Sequence, residues 1–307
     1  MLTILPEDLP HRERHQMMLG AVAPRPVAFV ASMNGNGDTN LSPFSFYNAY
    51  SSKPPIVAIG PAVAARTGRI KDTWLNIIET GECTISSVSY SMTHQMNIAA
   101  AEYPNGVDEF VKSGFSKGAS TIVKPPFVAE SPMAMECKLM ESIELRRDIS
   151  GNGNIILLEV VAFHISDSVL VNGKIDPRRM DLIGRMGFGY YTRTTELFEA
   201  GQPPHLCIGF DALPDHIRTS EILSGNDLAR LAYVPVLPML DGSFPQFETN
   251  FRADSVEIEL LANNPMGALF AMLELGMQRD RALRHRIAKV FIANDQINEA
   301  WQVLLLE

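Results

Sequence analysis

Two long β-like segments constrain the fold of this chain of 307 residues more than any other feature of its sequence. They cover residues 134–147 and 154–171 and are joined at Ser150-Gly151-Asn152-Gly153, which favours a tight turn. Long strands joined in this way predict an antiparallel sheet. Apolar residues run almost without interruption from Ile155 to Phe163, so we expect the second strand in the centre of a closed or nearly closed β-barrel.

Shorter elements are expected on the N-terminal side of this pair of strands. In chain order they are a helix at 11–20, a strand at 27–31, a tight turn at 34–38, an apolar strand at 56–60, a helix at 71–80 and a strand at 83–88. The apolar face of the second helix is expected to contain Trp74, Ile77 and Ile78. Asp72 or Thr73 is the expected N-cap of that helix.

The pattern changes after Tyr191. Prolines interrupt an irregular connection, and helical spacing then covers residues 265–279 and 281–305. We therefore expect a barrel domain over residues 1–200 and a helical C-terminal extension of unknown role over residues 201–307. Because the extension contains few aromatic residues, its own core is expected to be thin, so its helices should pack against the barrel or a dimer mate. The alternative is that these helices serve as an interaction module for another protein.

Charge and motif content exclude several classes of function. The chain has 26 basic and 35 acidic residues, a net charge of -9, which argues against nucleic-acid or anionic-lipid partners. No apolar run is long enough to span a bilayer, and the N-terminus does not fit a secretory signal. Neither a GxGxxG fingerprint, an HExxH metal motif nor a GxSxG elbow occurs. We thus expect no metal site, no Rossmann domain and no serine hydrolase of that type.

The spacing of the three cysteines indicates the cellular compartment of the protein. Cys83, Cys137 and Cys207 lie far apart without CxxC spacing, so neither a disulfide framework nor a zinc site is indicated. We expect reduced and largely buried thiols in a cytoplasmic protein.

Two polar segments are candidate ligand-binding sequences. Residues 40–55 combine serines, asparagines and aromatic residues without an acidic residue, a combination that can bind a flat, anionic ligand; the alternative is a hairpin whose serines face water. Residues 66–73 combine Arg66, Arg69 and Lys71 with two threonines at the expected start of a helix, where phosphate binds favourably. The alternative there is an ordinary basic loop capped by Asp72.

In their order and spacing, several short motifs resemble the flavin reductase-like domain family, close to its flavoredoxin branch. The motifs include Pro24-Arg25-Pro26, Pro54-Pro55, Lys71-Asp72-Thr73, Asp108-Glu109-Phe110 and Arg185-Met186-Gly187. The resemblance covers roughly residues 10–200. It implies an FMN-binding split β-barrel, a mainly β, Greek-key antiparallel fold with peripheral helices, which usually forms a homodimer.

The resemblance also implies a set of cofactor-binding residues. The flavin-contacting strand of the family matches Ser45, Phe46, Tyr47, Asn48 and Ala49, with Ser51 or Ser52 following toward the phosphate. The phosphate motif matches Arg66, Lys71, Asp72 and Thr73. Arg193, like Arg25, is expected either to reach the flavin or its phosphate or to be an ordinary surface arginine. The chain departs from the family pattern at Gly187-Phe188-Gly189, where relatives are expected to have adjacent glycines.

The function that this resemblance implies is that of an FMN-dependent oxidoreductase or flavin reductase. The flavin would accept a hydride from NADH or NADPH, or exchange electrons with a small-molecule or protein partner, and no catalytic side chain is expected. Two alternatives stay open from the sequence. One is an FMN electron carrier or flavin sensor without turnover, and the other is a barrel whose C-terminal helices serve as an interaction module.

Overall fold

The chain folds into two compact units, Met1–Phe198 and Glu199–Glu307. The structure is a computed structural model and describes residues 1–63, 68–145, 153–200, 205–244 and 255–306. Within these residues, no helix is long and apolar enough to cross a membrane.

The first unit is built mainly from antiparallel strands. These are β1 (Arg25–Pro26), β2 (Ala28–Met33), β3 (Thr39–Phe44), β4 (Tyr47–Ser52), β5 (Pro55–Ile59), β6 (Glu82–Ser87), β7 (Lys117–Gly118), β8 (Phe127–Val128), β9 (Met133–Glu144), β10 (Asn154–Ile165), β11 (Leu170–Val171), β12 (Lys174–Ile175), β13 (Ile183–Arg185) and β14 (Tyr191–Arg193). The helices at its periphery are α1 (His11–Ala21), α2 (Asp72–Thr80), α3 (Thr93–Ala99), α4 (Glu109–Ser113) and α5 (Pro177–Met180).

Seven of these strands form one large sheet in the order β3-β2-β6-β9-β10-β5-β4. The strand β10 pairs antiparallel with both β9 and β5, which confirms that the long apolar segment is an interior strand. Its side chains alternate in burial: Ile156, Leu158 and Val160 are buried in the core. The strand β4 lies at the end of the sheet order, so one of its edges has no strand partner in the described part of the chain.

A second apolar core lies on the other face of the sheet, where α3 and α4 pack. It contains Phe29 and Leu41 from the strands together with Met96 and Phe110 from the helices. Phe115 completes it, with its ring edge-on to that of Phe29 at a centroid distance of 5.4 Å. The two cores thus hold α2, α3 and α4 against the sheet.

The helix α2 differs from its sequence prediction at two points. Trp74 and Ile77 are buried as expected, but Ile78 is 49% exposed, because the buried face is completed by Asn76, whose amide donates to Ser32 Oγ. Lys71, and not Asp72 or Thr73, occupies the N-cap position, and no side chain caps the helix there.

The second unit is helical, as expected. Its helices are α6 (Asp215–Arg218), α7 (Gly225–Ala232), α8 (Val256–Leu261), α9 (Pro265–Glu274), α10 (Arg281–Ala293) and α11 (Ile297–Leu305). The single helical pattern over 281–305 divides into two helices, because Asp295 adopts a left-handed conformation with φ of 63°. The expectation of a thin core is wrong: twenty buried residues, among them Phe291 and Trp301, pack together within this unit alone.

The three cysteines differ in their exposure to solvent. Cys83 and Cys137 are buried register partners on β6 and β9, whereas Cys207 is exposed, so the expectation of largely buried thiols is wrong for Cys207. Burial and the neighbouring thiol raise the pKa of Cys83 well above its usual value, the hydrogen bond with Cys137 being the largest cause. Cys83 is therefore a protonated core side chain.

Candidate functional site

A cavity of about 440 Å³ lies beside the open edge of the sheet. Its wall comes from five segments: the chain around β1, residues 45–50 around the start of β4, the end of β5, Leu145 after β9, and the start of β10. Of the residues predicted to contact flavin, Ser45, Phe46, Tyr47 and Asn48 line this cavity. The structure thus brings the first half of the predicted flavin strand to one site.

The edge strand β4 presents polar groups around this site. Asn48, Ala49, Ser51 and Ser52 are exposed along it. The pairing with β5 shifts register between Ala49 and Ser51, which marks a bulge that bends the strand. Asn48 Oδ1 accepts from the backbone N–H of Ala49 at 2.9 Å. Backbone N–H and C=O groups on the outer edge of such a strand are available to a ligand or to another strand.

Gly60 allows the end of β5 to come close to the start of β4. Its N–H donates to the carbonyl of Phe46 at 2.7 Å, and a Cβ at this position would lie 2.9 Å from the Phe46 Cβ. Any larger residue would push Phe46 into the cavity. The glycine therefore preserves the volume of the site.

Arg25 holds one wall of the cavity together. Its side chain is buried, and its guanidinium donates to the carbonyl oxygens of Leu19, Val22 and Met186. Nε lies 3.4 Å from Ser45 Oγ. Burial, together with the charge of Arg185, lowers the pKa of Arg25. Arg25 is therefore not a surface arginine, and these contacts help to fix the position of residues 45–46. Its contact with the flavin or its phosphate stays a prediction.

Asn154 is a lining residue that sequence analysis missed. It is 2% exposed, and its Nδ2 donates to the carbonyl of Pro61 at 3.0 Å. Its Oδ1 is buried and has no hydrogen-bond partner among the residues that the structure describes. A polar residue directly after the turn predicted from the sequence at 150–153 is the one sequence signal that could have indicated it.

Tyr47 contributes a neutral phenol to the site. Burial, followed by the nearby Cys137, raises the pKa of Tyr47 to about 12. The phenol is therefore protonated at neutral pH and acts as an apolar wall with a hydroxyl group.

The predicted phosphate residues line a different and smaller cavity of about 40 Å³. Asp72 pairs with Arg69 at 2.7 Å. Thr73 is buried, and its hydroxyl donates to Asn40 Oδ1 at 2.7 Å. Lys71 is half-buried, and no hydrogen bond or ion pair of its ammonium occurs within the described residues. Arg66 lies outside the described residues.

Glu109 anchors the same small cavity. Both of its carboxylate oxygens accept from Asn40 Nδ2 at 3.1 Å, and Oε2 also accepts from the backbone N–H of Leu41 at 2.9 Å. Burial raises the pKa of Glu109, although these hydrogen bonds oppose the shift. The side chains of Asn40, Thr73 and Glu109 thus form one internal network, and the hydroxyl of Thr73 is part of it.

Arg193 lines neither cavity. Its guanidinium forms two hydrogen bonds to the Asp181 carboxylate, at 2.6 and 2.9 Å, and lies over the Tyr90 ring at 4.1 Å from its centroid. The hydrogen bond to Asp181 raises the pKa of Arg193. The ion pair gives this arginine a structural partner, and a contact with the flavin or its phosphate stays a prediction.

Phe188 occupies the point at which the chain departs from the expected pair of glycines. Its φ of 55° is in the left-handed region, which glycine adopts without strain, and its side chain is 67% exposed. The carbonyl of Phe188 accepts from Arg185 Nη2 at 2.7 Å. The turn therefore keeps a glycine-type backbone conformation despite the aromatic side chain.

The larger cavity fits a flat aromatic ring with a polar edge. Tyr47, Ile59 and Ile155 supply apolar surface, while Asn154 and the open strand β4 supply hydrogen-bonding groups. The isoalloxazine ring of a flavin has this distribution of apolar faces and polar edge, so the residues present fit a flavin. Among the described residues, no group of three or more His, Cys, Asp or Glu side chains could hold a metal ion.

Comparisons with known proteins agree with this fit. The family model of the flavin reductase like domain matches residues 19–179. Nitrilotriacetate monooxygenase component B from Bacillus cereus is 30% identical, with a TM-score of 0.62 over 65% of this chain and 98% of that chain. The 2-nitrobenzoate 2-nitroreductase of Pseudomonas fluorescens is 27% identical, with a TM-score of 0.59 over 67% of this chain and 98% of that chain.

A third similar structure, from Shewanella frigidimarina, is a protein assigned as a flavin reductase with a split barrel domain. It is 25% identical and has a TM-score of 0.55 over 63% of this chain and 94% of that chain. The expected fold, a split barrel with peripheral helices followed by a helical C-terminal region, is confirmed by these similarities together with the sheet topology and helices described above.

Proposed function

Because the chain belongs to the flavin reductase like domain family, we propose that it is an FMN-dependent oxidoreductase of the flavin reductase type. In this proposal electrons pass from NADH, NADPH or a protein donor to the flavin, and from there to a second flavin or another acceptor. The observation that carries the proposal is a cavity of about 440 Å³ with apolar walls beside an open strand edge. It contains a buried acceptor that has no partner among the residues the structure describes.

The flavin ring would lie along residues 45–49, with Ser51 and Ser52 toward the phosphate. Support comes from the lining of the cavity by Ser45, Phe46, Tyr47 and Asn48 and from the exposed polar edge of β4. Of the cations predicted to bind the phosphate, Lys71 is the one in the described part of the chain whose ammonium has no protein partner. Asp72 and Thr73 would keep the loop before α2 in position, through Arg69 and Asn40.

FMN, when bound, supplies the hydride-accepting chemistry of the reaction. The residues of the chain bind and orient it. Arg25 fixes the wall at Ser45 and Phe46, and Tyr47 closes the site with a neutral phenol. No side chain is required as a nucleophile or as a proton donor in this proposal.

We propose further that two copies of the chain form a homodimer through the barrel. The side chains of Phe46 and Tyr50 are exposed beside the open edge of β4, and a second copy would cover them and exclude water from the cavity. Light scattering over a wide range of protein concentration should give the mass of a dimer. A strict monomer that binds FMN tightly would contradict this part of the proposal.

The function is tested by the visible spectrum of the protein, purified or reconstituted with FMN, followed by anaerobic stopped-flow reduction. We expect a flavin spectrum whose absorbance bleaches on mixing with NADH or NADPH, and we expect a catalytic flux when free flavin is added. FAD serves as the comparison cofactor and should bind more weakly. Bound flavin that dithionite reduces but neither nicotinamide does would favour an electron carrier, and a protein that binds no flavin would overturn the proposal.

A further inference from the structure

Asn154 offers a hydrogen-bond acceptor to whatever fills the larger cavity. Asn154 lines the cavity, and its Oδ1 is buried without a hydrogen-bond partner in the described part of the chain. An acceptor in this state is costly unless a ligand supplies a donor. We propose that Asn154 binds the N3–H group of the flavin ring, an inference that rests on the function proposed above.

The orientation of the Asn154 amide follows from its other contact. The carbonyl of Pro61 can only accept a hydrogen bond, so the group that faces it at 3.0 Å must be the amide nitrogen. The oxygen is therefore the atom left for the cavity. This assignment does not depend on distinguishing oxygen from nitrogen by their positions alone.

The chemistry of the site selects the partner of Oδ1. An amide oxygen without a charge pairs with a neutral N–H or O–H donor and would not bind a phosphate. The oxidised isoalloxazine ring has a single N–H, at N3, between two carbonyl acceptors. Ile155 and Ile59 form the wall next to Asn154, which suits a ring better than the hydrated ribityl chain or phosphate.

The position of Asn154 is also rigid. It is the first residue of β10, and the segment that follows pairs with β5 at Ile156 and Ile59. The carbonyl of Asn154 lies 3.3 Å from the position of a Cβ on Gly60. An acceptor held at this depth by strand pairing and by Pro61 can discriminate between rings with and without a donor at N3.

The test compares FMN with 3-methyl-FMN, in which a methyl group replaces the N3 hydrogen. Apoprotein is titrated with each flavin, as the full-length wild type and as the variants Asn154→Ala and Asn154→Leu. We expect the wild type to bind FMN at least about tenfold more tightly than 3-methyl-FMN. The Asn154 variants should lose about tenfold to a hundredfold in FMN affinity, and they should lose most of the preference for FMN. Asn36→Ala, in an exposed asparagine between β2 and β3 that does not line this cavity, is the control and should retain both the affinity and the preference.

A second measurement separates the hydrogen bond from steric exclusion of the methyl group. With FMN labelled with 15N at N3, the N3–H signal should be observable by NMR in the wild type, protected from exchange, and should broaden or shift in Asn154→Ala. Thermal melting establishes whether the variants fold. If Asn154→Ala does not fold, Asn154→Leu is used in its place.

The outcomes distinguish this inference from the proposed function. If the wild type binds neither flavin, the proposed function fails and the inference with it. If the wild type binds FMN and the N3–H signal and the preference survive in folded Asn154 variants, only the inference fails. If these variants bind FMN normally but lose affinity for NADH or NADPH, the acceptor belongs to the nicotinamide carboxamide, and the inference is likewise overturned.

Discussion

At the scale of single residues, Lys71 is the side chain on which phosphate binding is expected to depend most. Its ammonium is half-buried and has no ion pair or hydrogen bond among the described residues. Lys71→Ala should weaken FMN binding by about tenfold to a hundredfold, because one charge-assisted hydrogen bond is lost. Fluorescence titration measures the effect. Lys174→Ala, which removes the same charge from exposed strand β12, is the matched control, and an unchanged affinity in Lys71→Ala would refute the assignment.

Glu136 carries a second prediction, on the pH dependence of stability. Burial opposes its charge, but hydrogen bonds from the N–H groups of Thr121, Val123 and Ile122 and from His164 Nε2 lower the pKa of Glu136 to about 2. Because this value lies below 4.5, the usual pKa of glutamate, the carboxylate stabilises the fold fully above pH 4.5, and the contribution is lost as the pH falls toward 2.

Urea unfolding between pH 7 and pH 2.5 measures this contribution, which corresponds to about 3 kcal/mol. Glu136→Gln should be less stable at pH 7 and should lose less stability than the wild type as the pH falls. Glu130→Gln is a control, since Glu130 accepts a single backbone hydrogen bond from Ser116 at an exposed site. Parallel pH curves for the wild type and Glu136→Gln would refute the assignment.

Sequence analysis identified consecutive residues that line one cavity, but not the residues that hold this cavity in place. Ser45, Phe46, Tyr47 and Asn48 line it together because they are consecutive at the start of β4, which a local motif can indicate. Arg25 and Asn154 depend on contacts with residues far away in the chain, Met186 and Pro61, and no local pattern carries that information. The involvement of Ser51, Ser52, Arg66, Lys71 and Arg193 in cofactor binding stays a prediction.

At the scale of elements, long strands were predictable and short helices were not. The strand β10 follows from its nearly continuous apolar residues, and it pairs antiparallel with β9 as expected. The segment predicted to continue to residue 171 ends as a strand at Ile165. A 3-10 helix at Asp167–Val169 follows it, begun by Ser166, whose side chain accepts from the N–H of Ser168. Helices of four to eight residues, such as α6 and α7, are too short for apolar periodicity to emerge.

The helix α7 shows what replaces periodicity in a short helix. Ser224 Oγ accepts from the N–H of Asp227 at 3.2 Å, and the Asp227 carboxylate accepts from the N–H of Ser224 at 2.8 Å, which together form a capping box. Ser224→Ala should destabilise the second unit by about 1 kcal/mol. Unfolding is followed by the fluorescence of Trp301 in a Trp74→Phe background, since the chain has two tryptophans.

Ser243→Ala is the control for this cap. The Ser243 hydroxyl donates to Asp241 outside any helix, and its loss should change stability by a few tenths of a kcal/mol. Equal effects of the two substitutions would mean that the capping box contributes no more than a surface hydrogen bond.

At the scale of the whole molecule, the chain contains separate hydrophobic cores in its two units. The barrel has two buried clusters, one on each face of its large sheet. In the second unit, Phe291 and Trp301 from α10 and α11 pack with Leu228 and Leu231 from α7. No described residue of the first unit belongs to this cluster. The sequence predicted a thin core in this unit because the unit has few aromatic residues. Leucine, isoleucine and alanine in fact supply most of the core.

We therefore predict that a chain divided between residues 198 and 199 gives two pieces that each fold. Residues 199–307 should melt cooperatively and show helical circular dichroism, because twenty described residues form their buried core. Residues 1–198 should bind FMN as the full chain does, because all of the predicted site residues lie within them. The melting temperature of the barrel piece also tests the earlier expectation that the helices pack on it: a lower value than in the full chain means that they cover barrel surface. A C-terminal piece without a cooperative transition would contradict the prediction, since its core would then need the barrel to form.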